Sequence, residues 1–400
     1  MREEGETLKV LQMAASAGTL ERFVVRTAAA LQDAGYEVHF ACSPGGPCLE
    51  ELGFPVHRVG IPRSLSPLRL LRSVVALQRL LGREQFDVVH VHTPVAAFLG
   101  RIAAKLTGVP LILYTVHGFF FHDRMAGWNR RILVALERSL GRRCTSKLLT
   151  VSPEDAHTAI RERIARPEDV VCIHSVGVDT ERFVPRELLA CERLERLRSL
   201  GIVAAESSEQ LRVIGFVGRL VREKGLLDLI RAMKQVISEH PDAHLIVVGG
   251  EDRCGRDRRT PEIARDLIAS EGLEGSITFL GVRDDLPDLL PLMDMFVLPS
   301  YREGMPRSIL EAMSCGLPVV ATDVRGCREE VVHGETGWII QPGDVSALAC
   351  AIVSVLDCPS VARRMGVAAR RRVEKEFAER DVIERQIAWY ENWTQGMVSR

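Results

Sequence analysis

The sequence predicts an α/β protein built from two doubly wound parallel sheets in tandem. Two observations carry this expectation. Short apolar runs rich in Val, Ile and Leu alternate with amphipathic helical stretches, as in parallel sheets covered on both faces. The alternation also runs through once, is interrupted by a polar, helix-prone stretch at 187–210, and begins again at Val213. A length of 400 residues agrees, being long for a single core.

In chain order, a buried-strand pattern at 8–14 leads through Ser16-Ala17-Gly18-Thr19 into a helix over 20–34. This is the opening of a Rossmann-like unit, in which Gly18 lets a ligand approach a helix start closely. The Gly-x-Gly-x-x-Gly fingerprint of dinucleotide binding is missing. Strands follow at 36–41, 56–59, 87–92, 111–116 and 148–152, with helices over 67–82, 95–106 and 128–143 between them. The second series places strands at 213–217, 244–248, 276–280, 295–298, 319–322 and 338–340. The expected domains are 1–180 and 211–376, joined by a linker or insertion at 181–210. A terminal helix within 377–400 carries Val382, Ile383, Ile387, Trp389, Tyr390 and Trp393 near helical spacing. Tandem units of this kind present a crevice at the carboxyl ends of their strands.

Composition excludes several classes. A net charge of -1 gives no bulk attraction to nucleic acid. Charge is uneven all the same: between 63 and 147 fourteen Lys and Arg face four Asp and Glu, a local +10 that leaves -11 for the remainder. The ten cysteines include no Cys-x-x-Cys and read as reduced core thiols, which fits a cytosol. The acidic N-terminus lacks the apolar run of a secretory signal, and no apolar stretch reaches spanning length. Any meeting with a membrane is therefore expected at its surface.

Chemistry gathers at two stretches of the second half. Glu303 and Gly304 follow the strand at 295–298, and a helix is expected to begin near Met305-Pro306. The N–H groups of Gly304, Met305 and Arg307 would then face a bound oxygen, and Glu311, two helical turns past Glu303, would lie on much the same side. Two carboxylates at such a place suit the gripping of hydroxyl groups. Upstream, Gly218-Arg219 and Lys224-Gly225 set two cations between a strand and a helix expected to start at Gly225. Fixed cations beside helix N–H groups suit a diphosphate that gains charge as it leaves. In the first half His117 ends a strand as His-Gly, whereas His90, His92 and His122 read as structural histidines.

The Glu-x7-Glu pattern of Glu303 and Glu311, with Gly218-Arg219, Lys224-Gly225 and Gly316-Leu317-Pro318-Val319-Val320-Ala321-Thr322, resembles family 4 of the GT-B retaining glycosyltransferases. The capsular and exopolysaccharide members are the most similar, and the resemblance runs from about Lys9 to about Trp393. It implies two Rossmann-like domains facing a cleft, with the C-terminal helix crossing back to the first. It implies that Arg219 and Lys224 hold the donor diphosphate near Gly218, that Glu303, Gly304, Met305 and Pro306 meet the donor sugar, and that Glu311 meets the ribose. Val282 and Arg283 would lie where relatives grip the base, and His117 would touch the sugar from the first domain. Two departures stand out. Ala17-Gly18-Thr19-Leu20-Glu21 replaces the usual Gly-Gly-x-Glu, and Val176 stands for Asn before Gly177-Val178-Asp179. The chemistry the resemblance implies uses no protein nucleophile, no metal and no cofactor, and Asp284-Asp285 lacks a supporting ligand set.

The donor implied is a UDP-sugar, and the acceptor is lipid-linked, as a polyprenyl diphosphate, or saccharide. The stretches 67–83 and 129–143 are amphipathic and cationic, with Phe119-Phe120-Phe121 near the second, and would suit an anionic membrane. The expected place is the cytoplasm, peripheral on the inner face of the cell membrane. Alternatives left open by the residues are transfer to a small soluble acceptor, a nucleotide-sugar 2-epimerase and a silent nucleotide-sugar binder.

Overall fold

Apolar runs too short for helices become the inner strands of two sheets. The computed structural model describes residues 7–46, 48–62, 66–121, 125, 127–174, 177–202, 211–251, 257–395 and 397. It divides into one unit of residues 1–176 with 380–400 and another of residues 177–379.

The first unit holds β1 (Lys9–Met13), β2 (Glu37–Cys42), β3 (Val56–Arg58), β4 (Val88–His92), β5 (Leu111–Val116), β6 (Lys147–Thr150) and β7 (Val170–Cys172). All pair in parallel, in the order β3-β2-β1-β4-β5-β6-β7. Every residue of β4 and β5 is buried, as expected of strands covered on both faces. The strand order reverses between β1 and β4, the switch point at which open α/β sheets leave a crevice. The helix Glu379–Thr394 belongs to this unit from Arg380 onward, where Tyr390 is fully buried.

The second unit holds β8 (Arg212–Val217), β9 (Ala243–Val248), β10 (Ile277–Gly281), β11 (Met295–Leu298), β12 (Val319–Thr322) and β13 (Gly337–Ile340). These too are parallel, in the order β10-β9-β8-β11-β12-β13, so the switch point falls between β8 and β11.

Three expectations shift. The helix over 20–34 is two helices, Ala17–Phe23 and Val25–Asp33, broken at Val24 with φ -125°. Phe23-Val24-Val25 is a bulky run in which β-branched residues resist helical crowding, and Val24 turns into the core. The stretch 181–210, expected as a linker or insertion and helix-prone, holds the helix Ala190–Ser199, whose Leu197 joins Ile202 in the core of the second unit instead of merely bridging. Its last part, 203–210, lies outside the described residues, as do Val176 and His122. The two units meet in sequence after residues 176 and 379, rather than at 180 and 376.

Candidate active site

The second unit builds its site at the β8/β11 switch point. After β8 the chain turns through Gly218 and exposed Arg219 to a single 3-10 turn at Arg222–Lys224, then enters the helix Leu226–Glu239. The helix starts one residue later than expected, because Gly225 is its left-handed cap with φ 74°. A side chain at Gly225 would meet the Pro299 carbonyl oxygen at 1.9 Å, so glycine lets the two loops touch backbone to backbone. Tyr301 N–H donates to the Glu223 carbonyl at 2.8 Å, and Tyr301 O–H donates to Asp228 Oδ2 at 2.5 Å. These contacts hold the β8 and β11 loops to each other.

Between them Lys224 Nζ donates to Glu303 Oε1 at 2.5 Å, and Ser300 Oγ–H donates to the same oxygen at 2.7 Å. The Thr322 hydroxyl in turn donates to the Ser300 carbonyl. The Glu303 side chain is only 8% exposed and that of Lys224 18%. Lys224 and Glu303, expected to meet different parts of one ligand, are thus partners in a single half-buried pair.

Past Glu303, Gly304 and Met305 are half-buried and Pro306 is buried. The helix there is Arg307–Ser314 and not one starting at Met305-Pro306; Pro306 is its cap, with ψ 103° outside the helical range. Glu311 lies in its second turn beside Arg307, 3.8 Å away. Gly326 abuts the loop from the far side, where an added side chain would meet the Gly304 carbonyl oxygen at 1.9 Å. The short helix that Gly326 opens, Cys327–Glu330, carries a group with no sequence signal of its own. Glu330 is fully buried, neither carboxyl oxygen has a hydrogen-bond partner among the described residues, and burial followed by the Glu303 charge pushes its carboxyl well up.

The neighbouring strand ends complete the rim. Gly249 and Gly250 follow β9, and a side chain on Gly249 would meet the Gly218 carbonyl oxygen at 1.7 Å. The Gly-Gly after β9 was the available signal for this contact. Val282 is 71% exposed beside Gly250, and Arg283 is turned onto Asp285 at 2.8 and 2.5 Å.

In the first unit the β1/β4 switch point carries polar residues where apolar ones would be the rule. Gln12 on β1, His90 and His92 on β4, Thr115 on β5 and His117 just beyond it share one face. His92 Nδ1 lies 3.2 Å from His117 Nε2, so His92, expected to be structural, touches the predicted site residue. Burial holds the imidazoles neutral: His90 is pushed down to about 3, His117 to about 4, and His92 well below its usual value. Gly18 sits in the first turn of Ala17–Phe23 with open space around it, and the structure gives it no polar partner among the described residues. Elsewhere His39, His57 and Glu84 bring ligand-type atoms within 4.8 Å. Their bonds are already internal, His39 Nδ1 with His57 Nε2 at 2.9 Å and His39 Nε2 with Glu37 at 2.8 Å.

Among the described residues no single helix is long and apolar enough to cross a membrane. The helices Val345–Asp357 and Pro359–Glu376 reach that apolarity only together, and they are bent by 101° with Leu348 and Ile352 in the core.

Comparison with known proteins gives this geometry its class. Residues 18–175 match the glycosyl transferase 4-like domain and residues 202–372 match the glycosyl transferases group 1 family. The chain is 31% identical over 327 residues, 80% of each chain, to the UDP-Gal:alpha-D-GlcNAc-diphosphoundecaprenol alpha-1,3-galactosyltransferase of Escherichia coli. It is 26% identical over 368 residues, 90% of each, to the capsular polysaccharide biosynthesis glycosyltransferase CapM of Staphylococcus aureus. The crystal structure of Anabaena Alr3699/HepE in complex with UDP and glucose superposes with a TM-score of 0.80 at 23% identity, over 96% of this chain and 99% of that one. The protein belongs to family 4 of the glycosyltransferases, has the GT-B type of fold, and is an enzyme of the glycosyltransferase class.

Proposed function

We propose that this enzyme transfers a sugar from a UDP-sugar, with retention at the anomeric carbon, to a polyprenyl-diphosphate-linked saccharide in cell-surface polysaccharide synthesis. The observation that carries the donor side is the half-buried Lys224–Glu303 pair at the β8/β11 switch point. A diphosphate arriving there gives Lys224 a second anion to bind, which loosens its hold on Glu303 and offers the carboxylate to sugar hydroxyls. Arg219 and the N–H groups of Gly304 and Met305 supply further positive potential for the departing diphosphate. In this reading Glu311 accepts from ribose hydroxyls, Val282 and Arg283 flank the base, and His117 is the first unit's contribution to substrate handling. No metal, no cofactor and no protein nucleophile enters the scheme.

For the acceptor, support comes from the names of the two similar enzymes, one acting on a diphosphoundecaprenol-linked sugar and the other in capsular polysaccharide biosynthesis. Surface chemistry agrees. The helix Gly127–Cys144 exposes Trp128, Ile132 and Leu136 along one stripe beside Arg131, and Pro67–Glu84 exposes Leu68 and Leu71 beside Arg69 and Arg72. Such a face suits an anionic bilayer surface, which would place the enzyme peripherally on the cytoplasmic leaflet.

The test incubates the protein with UDP-, GDP- and ADP-sugars, with and without a polyprenyl-diphosphate-linked acceptor, and follows nucleotide release and the anomeric configuration of the product. Acceptor-dependent UDP release with a retained anomeric centre is expected. Release to small soluble acceptors alone, or an inverted product, overturns the proposal.

A further inference from the structure

The polar face of the first sheet is one continuous hydrogen-bond chain, closed by the C-terminal helix. His117 Nε2 lies 3.2 Å from His92 Nδ1, and His92 Nε2 lies 2.8 Å from Gln12 Oε1. Gln12 Nε2 donates to Tyr390 Oη at 3.0 Å. Tyr390 Oη lies 2.5 Å from His90 Nδ1, and His90 Nε2 lies 2.7 Å from Thr115 Oγ1. Gln12, His90, Thr115 and Tyr390 are almost wholly shielded from solvent, as is His92.

Each neutral imidazole has one donor and one acceptor nitrogen, so such a chain has only two self-consistent directions. Gln12 chooses between them. With its amide oxygen on His92, His92 must carry its proton on Nε2 and accept at Nδ1. His117 must then donate from Nε2. With the Gln12 amide nitrogen on Tyr390, the phenol spends its own proton on His90 Nδ1, and His90 donates from Nε2 to Thr115. The Tyr390 hydroxyl therefore couples the Gln12 amide to His90 and Thr115, so the direction can reverse only if the amide, the phenol and the His90 tautomer all reverse together.

We infer that Tyr390, Gln12 and His92 are positioning residues that lock His117 as its Nε2–H tautomer, leaving Nδ1 as the only atom that ring can offer a substrate, and only as an acceptor. Among the described residues His117 Nδ1 has no partner. Resting on the proposed function, this specifies what His117 can do for a substrate: it accepts from a hydroxyl and does not donate to a ring or leaving-group oxygen. It also gives the last helix a part in the chemistry, since the residue that polarises the chain comes from its final turns.

The test uses the full chain with ¹⁵N-labelled histidine, whose ring-nitrogen shifts report the tautomer at each site. In the native protein His117 is expected as Nε2–H. Tyr390→Phe keeps the ring and removes the anchor, so a second His117 tautomer is expected to appear. Turnover is expected to fall about tenfold while nucleoside diphosphate affinity holds. Tyr36→Phe is the structural control: Tyr36 Oη bonds Thr394 Oγ1 at 2.9 Å and ties down the same helix outside the chain. It should leave the His117 spectrum and turnover as they are. Gln12→Met, which removes both amide groups with little change of shape, serves should Tyr390→Phe fail to fold. A native His117 protonated at Nδ1, a tautomer insensitive to both chain variants, or equal effects of Tyr390→Phe and Tyr36→Phe overturns the inference. The spectra need no substrate, so a native protein without transferase activity would sink the proposed function and leave this test readable.

Discussion

Lys224 and Glu303 lie 79 positions apart in the chain and 2.5 Å apart in the fold, each brought to the pair by the loop that leaves one of two adjacent strands. Buried ion pairs do little for stability as such, but removing one partner strands the other's charge. Lys224→Ala and Glu303→Ala should each lower turnover by roughly 10²- to 10³-fold. The double variant should lose little more than either alone, because the two residues act as a unit. A double-mutant cycle on kcat/KM checks this, and additive losses would show them to be independent.

Glu330 lies beneath the Glu303 loop with its carboxyl pushed well above 4.5. The folded protein keeps that proton where the unfolded chain releases it, so this contribution is fully present below about pH 4.5 and is lost as pH rises. Glu330→Gln should raise stability at about pH 8 by roughly 1–3 kcal/mol and flatten the decline of Tm above pH 5. Calorimetry of both proteins across that range decides it.

The imidazoles act in the opposite sense. His117 at about 4 and His90 at about 3, against 6.5, are charged more readily in the unfolded chain. Their stabilisation is complete above pH 6.5 and falls as pH drops towards the folded values. At about pH 5 each should cost of order 2 kcal/mol. His244, lowered to about 4 by burial, adds the same trend in the second unit. Urea unfolding at pH 7.5 and 5, with proton uptake measured at the midpoint, checks the sign.

Arg101 is fully buried, with its guanidinium 4.3 Å from the Tyr114 ring centre and 2.8 Å from Glu137 Oε2. Glu137→Ala leaves that cation without its carboxylate in a low-dielectric site. A loss of about 3–5 kcal/mol is expected from chemical denaturation.

Trp128 is 67% exposed at the start of a helix whose outer stripe also shows Ile132 and Leu136. Trp128→Ser with Arg131→Ser should weaken binding to anionic phosphatidylglycerol vesicles at low salt. Each near-surface cation is worth about 1 kcal/mol there. Neutral phosphatidylcholine vesicles serve as the reference, and native protein that floats with neither kind removes the membrane surface from the proposal.

Much of this molecule was legible one residue after another. Apolar runs at β5, β9 and β11 are best satisfied by strands covered on both faces, so the two α/β units follow from pattern. Glycine at 225 and the cluster after 303 marked the loops that carry chemistry, because a ligand-holding turn needs close backbone approach. Breaks and starts of helices were less legible, as at Val24 and Pro306, since a residue's pull towards the core competes with local propensity there. Partnership was not legible at all. Nothing in the neighbourhood of Lys224 says that it will meet Glu303, and nothing near His90 or His92 says that Tyr390 will reach back to them. Those pairings depend on which strands lie side by side at each switch point and on where the last helix settles, and strand order is fixed by the burial of the whole sheet rather than by any one segment.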